Sequence, residues 1–232
     1  MRALLLRVSD RMFPHGTNTF GAVPALLVLL TVVTGIVDAV SYLGLGHVFV
    51  ANMTGNVVFL GFAVAGAGGL SAWASALAIG AFVLGAWSTG RLHLRALDPQ
   101  RVLVRATAVH AVLVAIGVAV AGLAGQYGTV ARAVLIALLA GGMGLQNAAV
   151  RKLAVPELST TVVLTSTLTG LAADAPGFAL LRRVCSVAAM IVGAVFGGLL
   201  HLRAGPASAL GLAVVPLVIV AAIATRPRAE TP

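Results

Sequence analysis

Asn52-Met-Thr-Gly-Asn-Val-Val-Phe-Leu-Gly-Phe-Ala-Val-Ala-Gly-Ala-Gly-Gly69 is too short, as written, to cross a bilayer. Its polar entrance, Asn52 to Asn56, leads into an apolar run of about 13 residues, Val57 to Gly69. Such a run gives about 20 Å of helix at 1.5 Å per residue, against a hydrocarbon core of about 30 Å. A second stretch has the same form, opening with Ser159-Thr-Thr161 and ending at Asp174-Ala-Pro-Gly177. Both are expected to be re-entrant or broken helices that leave on the side they entered.

Around these two lie six longer apolar segments, at roughly 22–44, 71–91, 106–124, 132–150, 184–202 and 207–225, with the short pair at 47–68 and 158–173. If all eight crossed, the 15 Lys and Arg residues would divide almost evenly, eight on one side and seven on the other. If the short pair re-enters, thirteen fall on one side and only Arg132 and Arg203 on the other. The cytoplasmic side of a membrane protein carries the excess of basic residues. Six crossings with both termini cytoplasmic are therefore expected.

Composition excludes the main alternatives. Hydrophobic residues make up 60% of the 232 and charged residues 9%, with a mean hydropathy of +1.07. Soluble domains carry about 25% charged residues, so this chain cannot cover a water-facing surface. The net charge of +9 does not point to nucleic acid, because the arginines stand singly or in pairs at the ends of apolar runs. The lone Cys185 precludes an intramolecular disulfide and reads as a packing residue. His15, His47, His93, His110 and His201 are scattered, so neither a metal site nor a cofactor is expected. The absence of G-x-S-x-G, H-E-x-x-H and P-loop motifs argues against an enzyme.

The chain also repeats itself. Gly85-Ala-Trp-Ser-Thr-Gly90-Arg-Leu-His93-Leu-Arg-Ala96 matches Gly193-Ala-Val-Phe-Gly-Gly198-Leu-Leu-His201-Leu-Arg-Ala204 at an offset of 108. Gly35-Ile-Val-Asp38-Ala39 matches Gly144-Leu-Gln146-Asn147-Ala148 at an offset of 109. Two matches at nearly one offset indicate a duplication. The expected organisation is a cytoplasmic segment (1–19), a first membrane repeat (20–128), a second (129–226) and a tail (227–232). With three crossings each, the repeats would insert in opposite orientation, as in many secondary transporters.

Candidate site residues follow from the interruptions. Asp38 is the only carboxylate well inside an apolar run, a costly placement that marks a functional site by default. It would bind a proton, cation or solute, or accept hydrogen bonds from Thr34, Ser41 or the Asn52–Asn56 block to hold a helix break. Asn52, Thr54 and Asn56 would line a site from one side, with Gly55 allowing close backbone approach, and Ser159, Thr160 and Thr161 from the other. All these polar residues also suit ordinary N-capping. Asn147, the repeat mate of Asp38, cannot titrate. Gly80, Gly85, Gly90, Gly193 and Gly197 form small-residue stripes for close helix packing. His110, inside the fourth crossing, reads first as a satisfied polar core residue and second as a proton-handling group.

Thr34-Gly35-x-x-Asp38-Ala39 followed by Phe49-x-x-Asn52-Met-Thr54-Gly55-Asn56 resembles the YoaK-like family of bacterial membrane proteins. Gly144-Leu-Gln146-Asn147-Ala148, Thr160-Thr161 and Leu168-Thr169-Gly170 extend the resemblance over essentially the whole chain. It implies a multi-pass inner-membrane protein of similar length and supplies no substrate or catalytic residue. The expectation is an all-α polytopic bundle that transports or conducts a small solute, with Gln146 and Asn147 among its pore-lining residues. The alternative is a non-transporting scaffold, sensor or assembly partner. Its partners would be the bilayer, the solute and a second copy of the chain.

Overall fold

The computed structural model describes residues 1–91, 97–123, 128–158, 164–173 and 177–224, and the regular structure among them is all helical. Eight helices follow in order: α1 (Arg2–Asp10), α2 (Val23–Gly44), α3 (Met53–Val64), α4 (Ala72–Arg91), α5 (Pro99–Leu123), α6 (Thr129–Leu153), α7 (Leu164–Ala173) and α8 (Phe178–Ala224). Five of them, α2, α4, α5, α6 and α8, are long and apolar enough to cross a membrane. α3 is apolar but only 12 residues long.

α8 spans 47 residues, yet Gly205 (φ 81°, ψ 170°) breaks it into two limbs, 178–204 and 206–224. Glycine adopts that positive φ without a Cβ clash, and Pro206 then opens the second limb with no N–H to leave unpaired. The two final apolar segments of the sequence are these limbs. α5 starts seven residues before its apolar run, because Asp98 Oδ2 accepts the Gln100 N–H (3.0 Å) and Pro99 presets the first turn. Arg101 and Arg105 therefore ride on helix rather than on a loop.

Close contacts fix the helix directions. Gly193 lies against Val32, Gly197 against Ile36 and the His201 ring against Gly44, so α2 and the first limb of α8 run parallel. Gly85 and Gly144 mark where α4 and α6 cross; Ala81 lies against Gly141 before the crossing and Thr89 donates to the Leu145 carbonyl (3.3 Å) after it, so the two helices run parallel. Gly117 of α5 faces Leu135 and Leu139 of α6 and Leu210 of α8, while His110 reaches Gln146, so α5 runs against α6 and against the second limb.

Both bundle ends can then be assigned. At one end Arg182 bridges Glu157 (2.6 Å), donates to the Met12 carbonyl (2.8 Å) and covers the Phe13 ring (4.7 Å). This gathers α1, the exit of α6 and the entry of α8. At the other end Arg132, near the start of α6, approaches Gly46, just past α2. Since α4 runs parallel to α6, it starts at the end where α2 finishes, and α3 returns to the side it left. Likewise α6 finishes, and α8 begins, at the end carrying α1, so the segment containing α7 also returns. Six limbs traverse the bundle and two short helices do not.

α2 is the central helix, with most of its residues buried. α4 and the first limb of α8 are peripheral and expose Val83, Leu84, Trp87, Ile191, Val195 and Phe196. A water-soluble protein would hide such a surface; a lipid solvent makes it the stable one. Of the small-residue stripes, Gly85, Gly193 and Gly197 make tight crossings, whereas Gly80 and Gly90 have open space where a side chain would go.

Candidate functional site

Between α2 and α3 the chain runs non-helical from Leu45 to Asn52, with Val48, Val50 and Ala51 buried. Backbone amides there have no helix to satisfy them, and an unpaired amide at membrane depth is strongly unfavourable. Asp38 supplies the partner: its Oδ1 accepts the Val50 N–H (3.0 Å) and the Ala51 N–H (2.8 Å). Asn56 serves Phe49 in the same way, accepting its N–H (2.9 Å) and donating to its carbonyl (2.6 Å). Neither Thr34 nor Ser41 reaches the carboxylate, because each hydroxyl donates to a backbone carbonyl, of Leu30 and of Asp38.

Asn52 caps α3, its side chain accepting from the Gly55 N–H at 3.5 Å, the long limit of such a bond. Thr54 is exposed and Asn56 fully buried. Gly55 is required by packing rather than by conformation: a Cβ there would lie 2.8 Å from the Phe49 ring. Phe49 packs against both Tyr42 (5.1 Å) and Phe59 (5.8 Å), which are 6.3 Å from each other, so a three-ring cluster clamps the loop against α2 and α3.

The carboxylate keeps one oxygen in reserve. Asp38 is 5% exposed, and its Oδ2 has no hydrogen-bond partner among the described residues. A buried acceptor of this kind can take a proton, a cation or a donor group of a solute. Among the described residues no three His, Cys, Asp or Glu come together as a metal site.

The second half places its residues differently. Asn147 donates to the Met143 carbonyl one turn back (3.0 Å). Gln146 points its Oε1 at His110 Nδ1 on α5 (2.9 Å), and both side chains are fully buried. His110 Nε2, Gln146 Nε2 and the hydroxyl of Thr107, one turn before His110, have no hydrogen-bond partner among the described residues. Ser159, Thr160 and Thr161 lie outside the described residues. Asp38 stands six residues before the end of α2 and Asn147 six before the end of α6, about 9 Å along each axis. Those helix ends are at opposite ends of the bundle, so the two polar positions sit on opposite sides of its middle.

Two polar features escaped the sequence reading. The Arg182–Glu157 pair looked like an ordinary topogenic arginine and a loop acid, with no motif to join them across 25 residues. The Thr107–His110–Gln146 cluster had a faint signal, since Thr107 and His110 share one face of an apolar helix.

Helices of this length and surface, wrapped around re-entrant segments, define a polytopic helical membrane protein. The chain belongs to a family described as "Protein of unknown function (DUF1275)", which matches residues 26–223. It is 37% identical over 155 residues to the UPF0700 transmembrane protein YoaK of Bacillus subtilis (strain 168), covering 66% of this chain and 67% of that one. No solved structure matches the chain.

Proposed function

We propose that this protein moves a small solute across the bacterial plasma membrane, with both termini cytoplasmic, and catalyses no reaction. The observation that carries this reading is the buried Asp38 carboxylate, which holds a non-helical loop with one oxygen and leaves the other open. Irregular backbone at membrane depth is tolerated where protein buries it or where it borders a solute path. Asp38 serves both purposes at once.

Two relations support an inverted duplication as the framework. Gly35 and Gly144 are sequence mates, as are Gly85 and Gly193, and the contacts pair them crosswise, Gly35 with Gly193 and Gly144 with the helix of Gly85. The three limbs of the first half also run opposite to their counterparts in the second. Inverted repeats of this kind commonly rock about a central site. On this reading Asp38, Asn52 and Thr54 face the path from one side. Gln146, Asn147 and Ser159–Thr161 belong to its counterpart on the other, and Asn56 holds the loop that lines it.

The opposing reading is a non-transporting scaffold, sensor or assembly partner. It is favoured by Asn56, whose side chain is occupied by the Phe49 peptide. Flux separates the two. Purified protein in proteoliposomes is tested against a panel of small neutral, cationic and anionic solutes by osmotic swelling and by solid-supported membrane currents. Transport above empty vesicles that falls with Asp38→Asn supports the proposal. A panel that moves no faster than in empty vesicles favours the scaffold, and flux unchanged by Asp38→Asn removes Asp38 from the mechanism.

A further inference from the structure

Buried threonines in a helix ordinarily satisfy themselves on a carbonyl one turn back. Thr31 and Thr34 of α2 do so, donating to the Leu27 and Leu30 carbonyls (3.0 Å each). Thr107 of α5 is as deeply buried, yet its hydroxyl makes no such bond and has no other partner among the described residues. It stands one turn before His110, on the same face of the helix. His110 and Gln146 of α6 meet there at 2.9 Å, and all three side chains are fully enclosed.

The bond between His110 and Gln146 fixes what is left over. A carbonyl oxygen only accepts, so the ring proton lies on Nδ1 and Nε2 keeps a bare lone pair. The amide nitrogen of Gln146 keeps its N–H donors, and the Thr107 hydroxyl can donate or accept. Gly142 gives the ring its place: a Cβ there would lie 3.0 Å from His110 Nε2 and closer still to Cδ2. A polar atom buried at membrane depth without a partner is costly. Three such atoms in one cluster call for a shared guest.

We infer that Thr107, His110 and Gln146 bind one uncharged hydroxyl group, that of a water molecule or of a small polyol. Its hydrogen is donated to His110 Nε2, and its oxygen accepts from Gln146 Nε2 and from the Thr107 hydroxyl. A single oxygen thereby serves one acceptor and two donors, the usual number of bonds for a buried water. A metal cation would find one bare nitrogen beside an amide that presents N–H groups, and an anion would face the Nε2 lone pair. The site lies on the other side of the bundle's middle from Asp38, whose Oδ2 is also an acceptor suited to a hydroxyl. That the two belong to one solute path rests on the transport reading; the binding of a hydroxyl at Thr107, His110 and Gln146 does not.

The test reads binding without flux. Full-length protein in neutral detergent, its histidine rings labelled with a nitrogen isotope, is observed by NMR. His110 is the signal lost in His110→Phe or, should that variant fold poorly, in His110→Gln. The expected signal is a neutral ring protonated on Nδ1, with Nε2 moved to the position of a hydrogen-bonded acceptor. An Nε2 signal at the position of a bare imidazole nitrogen overturns the inference. Thr107→Val keeps the side chain's shape and removes only the hydroxyl. It is expected to move Nε2 toward the bare position and to lower Tm by several degrees, because the guest loses a partner. A Tm equal to or above wild type would mean an idle hydroxyl and overturns the inference as well. Glycerol separates the two sources: an Nε2 shift that saturates with glycerol, and not with sucrose at equal osmolality, identifies a polyol, while an unmoved hydrogen-bonded signal identifies water. A protein that passes these tests but moves no solute keeps the site and loses the transport reading, and flux with a bare Nε2 does the reverse.

Discussion

A methyl group added to Gly35 would lie 3.0 Å from the carbonyl carbon of Gly193 and closer still to the Met190 oxygen, so α2 and α8 meet backbone to backbone. Gly144 meets Phe82 and Ala86 of α4 in the same manner. Without a hydrophobic drive between helices in lipid, such close packing is a main source of association. Gly35→Ala and Gly144→Ala are each expected to destabilise by about 1–3 kcal/mol through overpacking, despite the ~1 kcal/mol that alanine gains in helix propensity. Gly80→Ala, with open space around it, is expected to be neutral or stabilising. Thermal unfolding of the three variants in detergent decides it, and equal behaviour of Gly35→Ala and Gly80→Ala would exclude the close crossing.

Asp38 has a structural and a chemical role that two substitutions separate. Asparagine keeps a carbonyl oxygen for the Val50 and Ala51 amides, so Asp38→Asn is expected to fold with Tm near wild type while losing the charge. Leucine leaves both amides orphaned, and each buried unsatisfied donor costs about 1–3 kcal/mol. Asp38→Leu is therefore expected to unfold several degrees earlier. If the two variants were equally unstable, the carboxylate charge rather than its geometry would be holding the loop.

Asn56 is needed for its two faces, one donor and one acceptor. Asn56→Asp retains the acceptor for the Phe49 N–H but sets a second oxygen against the Phe49 carbonyl, now 2.6 Å from the donor. A loss of about 2 kcal/mol is expected, with faster proteolysis in the loop between α2 and α3. Asn56→Asp indistinguishable from wild type in both measurements would show that this pairing does not hold the loop.

Much of this architecture was legible in the sequence, because lipid imposes a one-dimensional rule: apolar runs of sufficient length become helices. Asp38 stood out for the same reason, as the single acid within such a run. Its partners did not. Thr34 and Ser41 were its nearest polar neighbours along the helix, yet the loop amides won, since Thr and Ser hydroxyls in a helix satisfy themselves on carbonyls three or four residues back. The early start of α5 was written in Asp98-Pro99 but was masked by Arg101 and Arg105, which read as loop charges. The separation of Asp38 from Asn147 by half the bundle followed only once the helix directions were known.

Arg182 and Glu157 join segments that no local rule connects. Their side chains are 10% and 22% exposed, so the pair is enclosed but not dry. Arg182→Met removes the ion pair, the bond to the Met12 carbonyl and the cover over Phe13, and is expected to cost about 2–3 kcal/mol, below the ~3–5 of a fully buried pair. Glu157→Gln keeps an acceptor and is expected to cost about 1 kcal/mol. Trypsin cleavage after Arg7 and Arg11 should accelerate in Arg182→Met, because α1 is released from the bundle. Equal cleavage rates for wild type and Arg182→Met would show that Ser9 and the Phe13–Phe20 contact anchor α1 unaided.

The re-entrant path of α3 makes a sidedness prediction that does not depend on function. α2 and α4 run in opposite directions across the bundle, so residues just after α3 share a side with the start of α6 and not with the start of α5. In a Cys185→Ala background, Ala67→Cys and Val130→Cys are exposed positions that should react with a membrane-impermeant maleimide from the same side of the membrane. Asn18→Cys and Asp98→Cys, at the end that carries α1, should react only from the other. On the proposed orientation, with the end richer in basic residues cytoplasmic, Ala67→Cys should label in intact cells and Asp98→Cys only after permeabilisation. Labelling of Ala67→Cys together with Asn18→Cys would mean that α3 crosses. Seven limbs would then cross, both limbs of α8 included, and the opposed orientation of the two halves would be lost.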